Sequence, residues 1–104
     1  MGSDFLFDRV GAVLFVELGV QASLLLGRAP DNDIVLSDPT VSRHHANVAV
    51  EQGQVWVCDL SSTNGTYLNG TRIHGEVMVM PGDELCLGPG VRIQLCLSQQ
   101  ALIA

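Results

Sequence analysis

This sequence predicts an all-β sandwich. No window sustains a helical period, short aliphatic and β-branched runs recur at close spacing, and turn formers separate them. The 104 residues include 11 Gly and 4 Pro, together with many Val and Leu, a mix that favours short strands joined by tight turns. A chain of this length buries one continuous core, so one domain is expected. Its bounds are read as 10–98, with residues 1–9 as an N-terminal extension and 99–104 as a C-terminal tail.

The elements follow in order. Val13 to Leu18, closed by Gly19, reads as a strand, and Ala22 to Leu26 reads as a second one leading into Gly27-Arg28. Ala29-Pro30-Asp31-Asn32-Asp33 is dense in turn formers and precedes the brief strand Ile34-Val35-Leu36. In Ser37-Asp38-Pro39-Thr40, Pro39 lacks an amide proton and restricts the residue before it, which marks a loop. From His45 a period-two alternation runs to Glu51, Gln52-Gly53 suggests a two-residue hairpin, and Val55 to Leu60 returns. Ser61 to Gly65 is a polar loop. Thr66-Tyr67-Leu68 and Thr71-Arg72-Ile73 flank Asn69-Gly70, the strongest hairpin dipeptide. Met80 to Glu84 supplies Pro and Gly at successive turn positions, Glu84 to Leu87 precedes the break Gly88-Pro89-Gly90, and Val91 to Leu97 alternates as the last long strand.

Net charge is −6, from 11 acidic residues against five arginines and no lysine. A broad basic surface for nucleic acid is therefore excluded, and any anion site must be small and local. The absence of lysine points to a GC-rich bacterial source. Cys58, Cys86 and Cys96 are odd in number and lack a Cys-x-x-Cys spacing, so they read as small strand residues in a reduced compartment, not as a disulfide framework or zinc site. No stretch approaches the roughly 20 apolar residues of a membrane span, and no signal peptide is evident, so a cytoplasmic protein without membrane contact is expected.

Three clusters carry chemistry: Gly27-Arg28, Ser42-Arg43-His44-His45, and Ser61-Ser62-Thr63-Asn64-Gly65-Thr66. Guanidinium, hydroxyl and amide donors gathered in loops suit one compact anion, and phosphate is the obvious candidate. Arg28 offers a planar fork to two oxygens. Ser42 offers its hydroxyl, and its amide with that of Arg43 would form a nest. The Thr63 hydroxyl and the Asn64 carboxamide, which both donates and accepts, suit a peptide bearing the anion. Neighbouring histidines on a strand face opposite ways, so His44 and His45 are not expected to share a metal ion, and none is assigned. His45 is expected to hold the Ser42 loop in shape; His44 has no assigned role. A hydrolase with Ser42 as nucleophile and one of these histidines as base lacks an acidic orienting partner and a glycine elbow.

In this order and at these intervals the clusters, with Asp33-Ile34-Val35-Leu36, Asn69-Gly70 and Pro81-Gly82-Asp83, resemble the forkhead-associated (FHA) domain from about Leu24 to Leu97. The resemblance implies an 11-stranded β-sandwich with binding loops at one end and no enzymatic activity or cofactor. Its partners would be phosphothreonine-containing proteins or peptides, substrates of Ser/Thr kinases, or a phosphorylated part of its own parent chain. Arg28 and Ser42 would hold the phosphate, Arg43 and Thr63 would add contacts, and Asn64 would grip the peptide main chain. Gly27, His45, Gly65, Asn69 and Gly70 would be architectural. Phosphothreonine is preferred to phosphoserine in the family because its methyl fills a small apolar pocket, worth about 1 kcal/mol. Thr40, Val41 and Ser62 are candidates to read flanking residues. The alternative is a structural or oligomerisation sandwich that binds an unphosphorylated partner.

Overall fold

The structure is a computed structural model that describes residues 5–10 and 13–98. Among the described residues eleven strands form two sheets: β1 (Phe5–Val10), β2 (Val13–Leu18), β3 (Ser23–Gly27), β4 (Ile34–Val35), β5 (Ala46–Glu51), β6 (Gln54–Asp59), β7 (Thr66–Leu68), β8 (Thr71–Arg72), β9 (Glu76–Val79), β10 (Leu85–Leu87) and β11 (Val91–Leu97). One sheet has the order β1-β2-β11-β10-β7-β8 and the other β4-β3-β5-β6-β9. Most neighbours are antiparallel; β11 with β2 and β3 with β4 run parallel.

The alternation seen in the sequence becomes the packing. Leu14, Val16 and Leu18 of β2, Val91, Ile93 and Leu95 of β11, Leu24 and Leu26 of β3, and Val48 and Val50 of β5 all face inward and are buried in one core. The intervening Phe15, Glu17, Arg92 and Gln94 are exposed. Both two-residue hairpins form as expected, and their residues take the left-handed conformation the tight turn requires: φ is 53° and 75° at Gln52 and Gly53, and 51° and 84° at Asn69 and Gly70.

Two strands depart from the expected layout. Residues 5–9, expected as an extension, belong to β1, which pairs with β2 from Phe5 opposite Leu18 to Val10 opposite Val13. Glu76–Val79, left unassigned between Gly75 and Pro81, forms edge strand β9 against β6. The segments 28–33, 36–45 and 60–65, and the tight 88–90 turn, converge at one end of the sandwich through contacts described below. Cys58, Cys86 and Cys96 sit on β6, β10 and β11 as free thiols. Burial pushes the Cys86 and Cys96 thiols above their ordinary value, and nearby Glu84 and Glu17 add to it, which disfavours reactive thiolates.

Candidate functional site

The site begins with a close approach of two loops. An added Cβ on Gly27 would overlap the Arg43 carbonyl and stand 2.9 Å from Asn32 Nδ2, so only glycine lets these strands meet. Across this contact the Arg28 amide donates to the Ser42 carbonyl at 2.9 Å and the Ala29 amide to the Arg43 carbonyl at 3.1 Å. Asn32, buried at the turn, bridges the Ala29 and Arg43 carbonyls through Nδ2 at 2.8 and 2.7 Å. Arg28 then donates through Nε to the Val41 carbonyl at 3.0 Å. That bond orients the guanidinium, and both Nη groups remain without a partner among the described residues.

His45 is fully buried and joins the second and third clusters. The Ser42 amide donates to Nδ1 at 3.0 Å, while Nε2 donates to the Gly65 carbonyl at 2.9 Å. An amide can only donate, so Nδ1 accepts and the proton that meets the Gly65 carbonyl sits on Nε2. The Gly88 amide donates to the same Gly65 carbonyl at 2.9 Å, which brings the β10–β11 turn in as a back wall. His44 turns away and reaches Asp31 at the surface, 2.9 Å from Nε2 to Oδ1.

The loop after β6 closes the cluster. Thr63 donates its amide to Ser42 Oγ at 3.0 Å, and Asn64 Nδ2 donates to the Thr40 carbonyl at 2.7 Å. Asp59 supports this loop from below: it accepts from the Ser62 amide at 3.1 Å and from the Ser62 and Thr66 hydroxyls, each at 2.6 Å. Burial works to raise the Asp59 carboxyl, but these bonds outweigh it and hold it below its ordinary value. Asp38 is likewise held low, by the Thr40 hydroxyl and amide.

Arg28, Ser42, Arg43, Thr63 and Asn64 are thus brought together on adjoining loops, and each keeps a group free. Among the described residues, Arg28 and Arg43 keep unpaired guanidinium donors. Ser42 accepts from Thr63, which leaves its own hydroxyl proton to donate. Asn64 keeps Oδ1 as an acceptor. Gly27, His45 and Gly65 lie beneath them. Asn69 and Gly70 do not reach this cluster: Asn69 clamps the β9–β10 turn, accepting from the Glu84 amide at 2.9 Å and donating to Asp83 at 3.0 Å.

The structure corrects several expectations. The Ser42 amide is committed to His45 and is not a ligand donor, so no nest forms from it. Val41 is 1% exposed and Ser62 7%, so neither can read flanking residues. Ser42 and His45 do not form a nucleophile–base pair, because His45 meets the Ser42 amide, not its hydroxyl. Asn32, Gly88 and Asp59, which support the loops, have no assigned role in the sequence: Asn32 and Gly88 stand there only as turn and break residues, and Asp59 as the end of a strand. A groove of about 380 Å³ lies between segment 35–39 and Gly90-Val91, and none of the five site residues lines it.

A family model for the FHA domain matches residues 24–88. Glycogen accumulation regulator GarA from Mycolicibacterium smegmatis is 40% identical over 87 residues, covering 84% of this chain and 47% of that protein. The oxoglutarate dehydrogenase inhibitor of Corynebacterium diphtheriae is 45% identical over 87 residues, 84% of this chain and 52% of its own length. This chain therefore spans about half the length of the curated relatives it matches. Among solved structures, the FHA domain of the CT664 protein from Chlamydia trachomatis superposes with a TM-score of 0.70 at 31% identity, covering 83% of this chain and 90% of that one. The N-terminal FHA domain of Rad53p from S. cerevisiae, solved with a phosphothreonine peptide, gives a TM-score of 0.59 at 31% identity, over 69% of this chain and 61% of its own. Among the described residues no helix is long and apolar enough to cross a membrane. With a family model that covers well over half of its length and the two-sheet architecture to match, the chain belongs to the FHA domain family.

Proposed function

We propose that this chain is a non-catalytic module that binds phosphothreonine in a partner protein or in its own parent chain, and so acts in signalling by recruitment. The observation that carries the reading is the Arg28–Ser42 junction: a guanidinium oriented through Nε with both Nη groups unpaired, beside a hydroxyl whose proton is free to donate. A phosphate dianion there takes the Arg28 fork and the Ser42 proton, and Arg43 adds a second charge. Thr63 adds its hydroxyl, and Asn64 Oδ1 accepts a peptide amide. Charge-assisted hydrogen bonds contribute roughly 1.5–3 kcal/mol each, which supports a Kd near micromolar, or about −8 kcal/mol. The Rad53p domain bound to a phosphothreonine peptide supports the same ligand class here.

Calorimetric titration with a phosphothreonine peptide library, its unphosphorylated counterpart and a phosphoserine version tests the reading. The parent protein is expected to bind the first, to bind phosphoserine several-fold more weakly, and to ignore the unphosphorylated peptides. Arg28→Ala is expected to abolish binding while the thermal melt stays close to that of the parent. Equal affinity for phosphorylated and unphosphorylated peptides, or equal binding by Arg28→Ala and parent, would overturn it and favour a structural interaction domain.

A further inference from the structure

Arg72 is a cation that the phosphate site does not use. It lies on β8 directly opposite Tyr67 of β7, so the two side chains share the outer face of that hairpin. They meet over Gly65: a Cβ added there would stand 2.9 Å from Arg72 Nε and 3.1 Å from both Arg72 Cζ and Tyr67 Cε1. The guanidinium is thereby placed against the loop that carries Asn64, one residue along the chain from it. Arg72 is exposed, and no carboxylate among the described residues pairs with it. Arg92, by contrast, faces Glu84 at 3.5 Å, and His44 faces Asp31.

We propose that Arg72 reads an acidic side chain of the bound phosphopeptide, so that this domain prefers phosphothreonine segments with Asp or Glu flanking the modified residue on the Asn64 side. The inference rests on the phosphopeptide reading of the site and adds its partner's chemistry. A peptide held through its main chain by Asn64 passes beside Gly65, where the planar fork of Arg72 matches a carboxylate. The other flanking positions are poorly placed for this task. Val41 and Ser62 are buried, and the Thr40 hydroxyl and carbonyl are bonded to Asp38 and Asn64. Gly65 contributes by having no side chain, since a Cβ would displace the guanidinium.

The test is fluorescence anisotropy of the whole chain with a phosphothreonine peptide that is otherwise alanine, and with Asp placed singly at each flanking position. At one or two neighbouring positions Asp is expected to tighten binding about two- to fivefold, the range of an exposed ion pair, with the gain shrinking as salt rises. Arg72→Gln is expected to lose that gain and to bind the alanine peptide as the parent does; Arg72→Lys keeps part of it. Lys at the same peptide position is expected to weaken binding to the parent, a readout that needs no variant. The proposal is overturned if no Asp position improves binding to the parent, or if the gain survives in Arg72→Gln. Failure of the parent to bind any of the phosphothreonine peptides overturns the functional reading itself, and this inference with it.

Discussion

Replacing His45 by Phe separates the scaffold of the site from its ligand contacts. The ring stays roughly the same size, but both polar ends are lost, so the Ser42 amide goes unsatisfied and the Gly65 carbonyl loses one of its two donors, around a position that is 0% exposed. A buried donor or acceptor left without a partner costs about 1–3 kcal/mol, and the Gly65 carbonyl keeps Gly88 as a second partner. The expected loss is therefore about 2–4 kcal/mol, a large part of the roughly 5–15 kcal/mol that holds a domain of this size. In a chain of this length that corresponds to a fall in Tm of at least about 8 °C. Urea denaturation gives the stability and a phosphothreonine-peptide titration below the melt gives the affinity. Both should fall, because the Ser42 and Asn64 loops are joined through this ring while no ligand contact has been removed. A stability loss under about 1 kcal/mol with unchanged peptide affinity would show that His45 does not connect the two loops.

Two further outcomes follow from the same supports. Gly27→Ala forces its methyl into the Arg43 carbonyl, and is expected to cost about 1–3 kcal/mol and to weaken phosphopeptide binding; an unchanged denaturation midpoint would refute the close-approach argument. Asp38, Asp59 and Asp83 all have folded-state values below their ordinary 3.8, so their contribution to stability is complete above that value and is lost as pH falls through the lower folded ones. Urea midpoints taken on acidification should fall in that window, and Asp59→Asn should show a shallower decline; identical acid limbs for the two proteins would remove Asp59 from the account.

How far the sequence could be read depended on whether a residue's role is local. Gln52-Gly53 and Asn69-Gly70 were legible because a two-residue hairpin needs left-handed backbone at those positions whatever surrounds them. Strand β9 was not, since Glu76–Val79 is short, mixed in character and defined by its pairing with β6, some twenty residues away in the chain. Strand β1 had a usable signal in the apolar triplet Phe5-Leu6-Phe7, but its position near the terminus made it resemble an extension. In the loops the limitation was different. Ser42, Ser62 and Asn64 are all polar residues in polar segments, and composition does not reveal whether a given donor faces a ligand or a neighbouring loop. Ser62 proved to be bound to Asp59 and buried, while Ser42 keeps its hydroxyl proton free and commits its amide.

On the proposed reading, the division of labour within single side chains is what would let an acidic protein hold an anion. With a net charge of −6, the long-range field opposes a phosphate, so affinity must come from groups fixed at contact distance before the ligand arrives. Arg28 is fixed through Nε, which leaves the fork; Ser42 is fixed by accepting, which leaves the proton; Asn64 is fixed by Nδ2, which leaves the carbonyl oxygen. In each case the bond that orients the side chain leaves free the donor or acceptor that a phosphopeptide needs: a different atom in Arg28 and Asn64, and the proton on the same oxygen in Ser42. The side-chain entropy that binding would otherwise cost is therefore largely lost during folding, and the ordering enthalpy comes from carbonyls at Val41 and Thr40 and the amide of Thr63. This makes the three loops interdependent: a change such as Gly27→Ala, which touches no ligand atom, acts on affinity by misplacing the Arg43 carbonyl and, through the adjacent Ser42 carbonyl, the backbone of Arg28.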